Sequence, residues 1–348
     1  MNIKDIDKNL DINTKINEKD LRFISALEDP FDLYGTCGER YLRLPLKDAE
    51  RVSEGVKQLA ANTSGVRIRF KTDSKFVAVS VKYSDVCRME HMSLAGTSGI
   101  DMYTREDGGY LFQTLFLPPI SMEDSFESIH YFDTRQIRDI TLNLPLYSSV
   151  SDIYIGLDQN ALIEHGEKYK NKRPVVYYGS SITQGGCATR PGNSYPAIIS
   201  RKLNLDFVNL GFSGNAKGEP AMAEYIAKLD MSCFVFDYDF NAPTLDFLKN
   251  THRQFFEIVR KKNPMLPIII MSMPYNAWVK DIDERKRIIK ETCDLAIAGG
   301  DKNVYFVDGE KTFDVFGGDS GTFDGTHPND LGFMCMAAEL EKYIERLD

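Results

Sequence analysis

The chain has 348 residues, enough for two cores, and its 43% apolar and 27% charged residues are an ordinary balance for a globular protein. A net charge of −9 argues against nucleic acid as a partner, and no run approaches the roughly 18 apolar residues of a membrane span. The six cysteines are scattered with no CxxC pair, and the segment Met1–Lys8 lacks the apolar stretch of a signal peptide, so reduced thiols in a cytoplasmic protein without a metal site are expected.

From about Leu21 to Gln159 the signals are those of strands. Val66, Ile68 and Phe70 alternate with Arg67, Arg69 and Lys71; Val77, Val79, Val81 and Tyr83 alternate with smaller or polar residues; Ile140, Leu142 and Leu144 alternate with Thr141 and Asn143. A further strand is expected at Ile153–Leu157, and Gly108-Gly109 is a candidate hairpin turn. Period two means half-buried antiparallel strands, so residues 1–165 are predicted to form a β-sandwich of jelly-roll type. His165–Arg173, charged and without apolar periodicity, is the expected linker.

Residues 166–348 change texture. Short apolar strands at Val175–Tyr178, Phe207–Leu210, Cys233–Asp237, Ile268–Met271 and Val304–Val307 alternate with helical patterns at Ser194–Leu203, Pro220–Lys228, Leu245–Lys262, Ile282–Ala298 and Asn329–Leu347. That alternation predicts a parallel five-stranded sheet covered on both faces, a three-layer α/β/α domain. The basic triplets Arg260-Lys261-Lys262 and Arg285-Lys286-Arg287 fall on these helices and read as solvated faces.

In such a sheet, ligands sit beyond the carboxyl ends of the strands, near the point where strand order reverses. The segments that follow the strands are rich in Gly, Ser, Asn, Asp and His: Gly179-Ser180-Ser181-Ile182-Thr183, Gly211-Phe212-Ser213-Gly214-Asn215, Tyr238-Asp239-Phe240-Asn241, and Asp324-Gly325-Thr326-His327. The first lacks the spacing of a dinucleotide or phosphate-binding loop. A serine nucleophile needs a base, and the base needs a carboxylate to fix its tautomer. Asp324 and His327, three apart, fit that pairing with Ser181, and Pro328 should keep His327 on a loop before the last helix. Of the other histidines, His91 and His130 fall in the strand-rich half, His165 in the linker, and His252 on the apolar stripe of a helix, where it reads as a packing residue. Oxyanion donors would be the N–H groups of Ser181 and Gly214 and the Asn241 amide.

These four segments, in this order, resemble the conserved blocks of the SGNH (GDSL-like) hydrolases. Ser181 stands at the nucleophile of the first block, Gly214 at the glycine of the second, Asn241 at the asparagine of the third, and Asp324 and His327 at the Asp-x-x-His pair. The first half, with Phe31-Asp32-Leu33-Tyr34-Gly35, resembles the β-sandwich that precedes the catalytic domain in one subgroup, as does Gly185-Gly186-Cys187-Ala188-Thr189-Arg190-Pro191-Gly192. The resemblance implies a flavodoxin-like catalytic domain, a Ser-His-Asp triad, and hydrolysis of short acyl esters, acetyl first, on a small molecule or saccharide, with no cofactor. Two departures stand out: Ser180 replaces the family's Asp before the nucleophile, and Asp239-Phe240-Asn241 replaces Gly-x-Asn-Asp. The competing readings are an acyltransferase on the same triad, a metal-dependent phosphoesterase using Asp237, Asp239 and His327, and a non-catalytic carbohydrate-binding protein.

Overall fold

The computed structural model describes residues 14–106 and 109–347. The period-two segments of the first half form β1 (Leu21–Ser25), β2 (Asp32–Tyr34), β3 (Arg67–Thr72), β4 (Phe76–Asp85), β5 (Ile100–Glu106), β6 (Gly109–Phe116), β7 (Ser125–Tyr131), β8 (Arg138–Asn143), β9 (Ser149–Asp158) and β10 (Ile163–His165). They pair as two antiparallel sheets, ordered β1-β9-β4-β7 and β10-β3-β8-β5-β6, with β2 also on β3. Val77, Val79 and Val81 pack with Ile68, Phe70, Ile140 and Leu142 in one apolar core, as their alternation requires. Glu106 of β5 pairs with Gly109 of β6, while Gly108 of the expected turn lies outside the described residues. So does the Met1–Lys8 segment.

The first half departs from a pure sandwich in two ways. Residues 46–60 form two short helices, α1 (Leu46–Val52) and α2 (Glu54–Ala60), and a single turn, α3 (Leu94–Thr97), precedes β5. Ala49, Val56 and Ala60 from the first two join the core of the second half, not that of the sandwich. The polar face of β3 is not solvated either: Arg67 and Arg69 are 1% and 0% exposed, because the other domain and Tyr169 cover them. His165, expected to open the linker, instead ends β10 opposite Phe70, and the irregular stretch runs from 166 to 174.

The second half is built on β11 (Val175–Gly179), β12 (Phe207–Gly211), β13 (Cys233–Asp237), β14 (Ile268–Met271) and β15 (Val304–Val307), all parallel, in the order β12-β11-β13-β14-β15. Its helices are α4 (Ser181–Gln184), α5 (Tyr195–Leu203), α6 (Pro220–Ile226), α7 (Leu245–Lys262), α8 (Ile282–Ala298) and α9 (Asp330–Ile344). Buried residues of α6, α7 and α8 share one apolar cluster with α1 and α2, and those of α5 and α9 share the other, so the sheet is covered on both faces. The strand order reverses between β11 and β13. Gly179 is in register with both Gly211 and Asp237, so three loops leave the sheet side by side at that point. Among the described residues no helix is long and apolar enough to cross a membrane.

Candidate active site

Ser181 opens the one-turn helix α4 directly after β11. Ser180 is extended, and its Oγ accepts the Ile182 N–H at 3.2 Å; Gly185, at φ +104, closes the turn with its N–H on Ser181 O. The serine that replaces the family's Asp therefore serves as an N-cap, a task either residue can perform. Strand and turn approach so closely that a Cβ on Gly179 would lie 2.1 Å from Thr183 Oγ1. Ser181 is only 4% exposed.

The segment 322–328 is a closed loop: Thr322 and Pro328 form a bridge, Phe323 N–H donates to His327 O, and Gly325 takes φ +83 at the reversal. Within it, Asp324 Oδ1 accepts the N–H groups of Thr326 (3.0 Å) and His327 (2.8 Å), and Asp324 Oδ2 lies 2.8 Å from His327 Nδ1. His327 Nε2 lies 3.0 Å from Ser181 Oγ. Partial burial works to raise the Asp324 pKa, but the His327 N–H, the imidazole and the Thr326 N–H outweigh it and hold the carboxyl below its usual value. With the ionised carboxylate on Nδ1, the tautomer assigned from these partners carries its proton there and leaves the Nε2 lone pair to Ser181. Asn329 then caps α9, so His327 stands on a loop.

Gly214 lies on the exposed loop after β12 at φ +67, and its N–H has no acceptor among the described residues. The Ser213 N–H beside it donates to Gln184 Oε1 at 2.9 Å, fastening this loop to α4. Asn241 Oδ1 accepts the Ala216 N–H at 3.4 Å, which brings Asn241 to the Gly214 loop. The structure thus links Ser181, His327 and Asp324 in one hydrogen-bonded chain and ties Asn241 to the loop that carries Gly214. The metal reading finds no support in its ligands. Asp237 is buried and accepts from Thr183 and Tyr195, Asp239 is buried and accepts from Met273 N–H, and no metal-holding cluster occurs among the described residues.

Sequence reasoning missed several neighbours; all but Phe323, which precedes Asp324 in the same loop, come from distant segments without a local signal. The His91 ring, from the β-rich half, stacks 5.8 Å from the His327 ring at 26°, and Tyr147 OH lies 3.5 Å from Ser181 O. Trp278 Nε1 donates to Asp324 O at 2.9 Å, and Phe323 adds an exposed ring close to His91. Arg285, read as part of a solvated triplet, is buried and donates to Asp239 O and Ala242 O at 3.0 Å each, bracing the Asn241 loop. Arg260 likewise turns inward onto the carbonyls of Asn263, Leu266 and Asn303. Burial pushes the nearby Cys187 thiol up to about 12, which leaves it protonated and a poor nucleophile. His252 is fully buried against Phe236 and bonded to Thr292, a packing residue.

The profile of the GDSL-like lipase/acylhydrolase family matches residues 172–345. The chain belongs to this family. A second profile, the N-terminus of SGNH-hydrolase-type esterases, matches residues 21–163. No curated protein matches the chain. Among solved structures, a GDSL-like lipase from Bacteroides ovatus is similar at 29% identity and a TM-score of 0.85, covering 94% of this chain and 98% of that one. The salicylyl-acyltransferase SsfX3 from a tetracycline biosynthetic pathway follows at 20% identity and 0.77, covering 95% and 98%. A family two carbohydrate esterase from Clostridium thermocellum, in complex with cellohexaose, shares the fold at 17% identity and 0.59, covering 81% and 92%. As a member of the GDSL-like family the protein is an esterase-class enzyme on an SGNH-type α/β fold, preceded by an antiparallel β-rich domain.

Proposed function

We propose that this GDSL-like enzyme is a serine esterase that removes short acyl groups, acetyl first, from saccharide esters through an acyl-enzyme. The observation that carries the reading is the unbroken chain Ser181 Oγ–His327 Nε2 and His327 Nδ1–Asp324 Oδ2, at 3.0 and 2.8 Å. His327 Nε2 takes the Ser181 proton as Oγ attacks the ester carbonyl, and Asp324 stabilises the imidazolium. The N–H groups of Ser181 and Gly214 and the Asn241 NH2 receive the developing oxyanion. His327 then gives its proton to the departing alkoxide and activates the water that releases the acid.

The saccharide side of the reading is supported by the fold shared with carbohydrate esterases, one in complex with cellohexaose and one, from Butyrivibrio proteoclasticus, described as an acetyl xylan esterase. It also fits the exposed rings of His91, Phe323 and Trp278 around the Asp324–His327 loop, whose faces suit the C–H face of a pyranose. The six free thiols suit the reducing cytoplasm. The likeness to a salicylyl-acyltransferase favours a second reading, in which an acceptor hydroxyl replaces water in the second step.

The test is turnover of p-nitrophenyl acetate, butyrate and octanoate with and without EDTA. Ser181→Ala is expected to lose ~10^4-fold or more in kcat, Asn241→Ala roughly 10²–10³, and EDTA should change nothing. Wild-type turnover in Ser181→Ala refutes the serine mechanism. Added alcohols that divert product from free acid to new ester would establish the transferase reading.

A further inference from the structure

β12 is the outermost strand of the parallel sheet: β11 pairs with it on one side, and no strand among the described residues pairs with it on the other. Its outward carbonyls are those of Phe207, Asn209 and Gly211, two residues apart, as strand geometry demands. An open row of carbonyls invites pairing with another chain. Here two guanidinium groups from the β-rich half take the place of a sixth strand. Arg67 Nη1 donates to Phe207 O at 3.1 Å, and Arg43 Nη1 donates to Asn209 O and Gly211 O at 2.9 Å each.

The two arginines differ in what else they hold. Arg67 is paired with Asp206. Arg43 is 0% exposed and has no carboxylate partner among the described residues; its Nε donates to Asn62 O and its Nη2 to Leu59 O, both at 2.7 Å, at the end of α2, and Phe212 lies against its guanidinium. A buried cation whose acceptors are all backbone carbonyls fixes four of them at once. One of these, Gly211 O, lies three residues before Gly214. The same junction is fastened a second time through Gln184, whose side chain donates to Asn62 Oδ1 and Leu146 O of the β-rich half and accepts from Ser213 N–H.

We propose that Arg43 is a positioning residue for the oxyanion hole: supplied by the β-rich domain, it sets the height of the Gly214 N–H above Ser181 by clamping the carboxyl end of β12. The proposal rests on the reading of Gly214 as an oxyanion donor in a serine esterase. It also gives the β-rich half a part in catalysis that does not depend on touching substrate.

Arg43→Lys keeps the charge, but a single ammonium cannot span four carbonyls set around a planar fork. A displacement of about 1 Å in a reacting group costs up to ~10²-fold, so kcat on p-nitrophenyl acetate is expected to fall some 10- to 100-fold. KM should stay within about threefold, and the acid limb of kcat/KM should stay at its wild-type pH, because the Ser181–His327–Asp324 chain is untouched. Arg67→Lys, on the same strand edge but farther from the loop, is the comparator: it should lower Tm and leave kcat within about threefold. Each variant is assayed well below its own Tm. Three results would overturn the proposal: a folded Arg43→Lys with wild-type kcat, an equal loss of kcat in Arg67→Lys, or failure of Arg43→Lys and Arg43→Gln to fold, which would make the residue purely structural. Ser181→Ala measured alongside separates the two readings, since its inactivity beside a fully active Arg43→Lys removes the positioning role alone, and its activity removes the serine mechanism.

Discussion

Asp239 lies just beyond the end of β13, wholly enclosed, with one carboxylate oxygen on Met273 N–H at 2.8 Å and the other without a hydrogen-bond partner among the described residues. Burial pushes its pKa up to about 7, and the neighbouring Asp237, held by Thr183 and Tyr195, is raised by burial to about 6. A carboxyl whose pKa is higher folded than unfolded holds its proton longer in the native state. Between the unfolded value near 4 and these folded values the native state binds more protons, so this contribution to stability falls as pH rises through that window. Asp239→Asn copies the neutral acid and keeps an acceptor for Met273. The substitution is expected to raise Tm by several degrees at pH 8, with the gain fading toward pH 5. A gain that is the same at both pH values would show that Asp239 does not titrate in that range. The buried His252, with its pKa lowered to about 3 by burial, works in the opposite direction below pH 6.5, so the difference between variant and wild type is the quantity to read.

Helix α9 shows how an element and its cap fix the base. Asn329 Oδ1 accepts the N–H groups of Leu331 and Gly332, while its Nδ2 donates to Ser320 O and Thr322 O at 2.8 and 3.1 Å, so a single side chain starts the helix and anchors the loop that carries Asp324 and His327. Asn329→Ala should cost about 1–2 kcal/mol of stability and lower kcat/KM severalfold. Asn329→Ser restores the cap acceptor without the donors; it should recover most of the Tm and little of the kcat/KM. Recovery of both would reduce Asn329 to an ordinary cap. Pro328 and the Asp-x-x-His spacing are local, and so were legible in the sequence, as were the strands Cys233–Asp237 and Ile268–Met271 and the helices Leu245–Lys262 and Ile282–Ala298, whose ends fall where the patterns end. Helices α1 and α2 were not legible. Each has seven residues, shorter than an apolar stripe needs to declare itself, and the buried Ala49, Val56 and Ala60 show their purpose only once they join the apolar cluster of the second domain beside α6. Arg285 failed as a solvated residue for the same reason, since the carbonyls that bury it belong to another segment, and Arg260 is drawn inward in part by the distant Asn303 O.

At the scale of the molecule, the polar face of β3 and the helices of residues 46–60 turn two readable halves into one body. The sandwich pattern alone would leave Arg67 and Arg69 in water; instead they are enclosed, Arg67 on Asp206 and Phe207 O, Arg69 on Asp139 and stacked over Tyr169 at 4.3 Å. Leu44, Ala49, Val56 and Ala60 of the first half lie in the same apolar cluster as Val176, Leu210 and Met222 of the second. Domains that meet through small polar interfaces unfold separately, whereas a shared apolar core and buried charges left unpaired on separation couple them. Opening this junction would expose that core, strip Arg43 of two of its four carbonyl acceptors, Asn209 O and Gly211 O, and uncover the edge of β12, so neither half has a favourable state without the other. Calorimetry of the intact chain is therefore expected to give one transition with a calorimetric-to-van't Hoff enthalpy ratio near 1, although a chain of this length would ordinarily show two. Arg43→Lys should lower that single Tm without splitting the peak. Two resolved transitions in the wild-type protein would mean that the halves fold independently and that the β-rich domain acts on the site only by proximity.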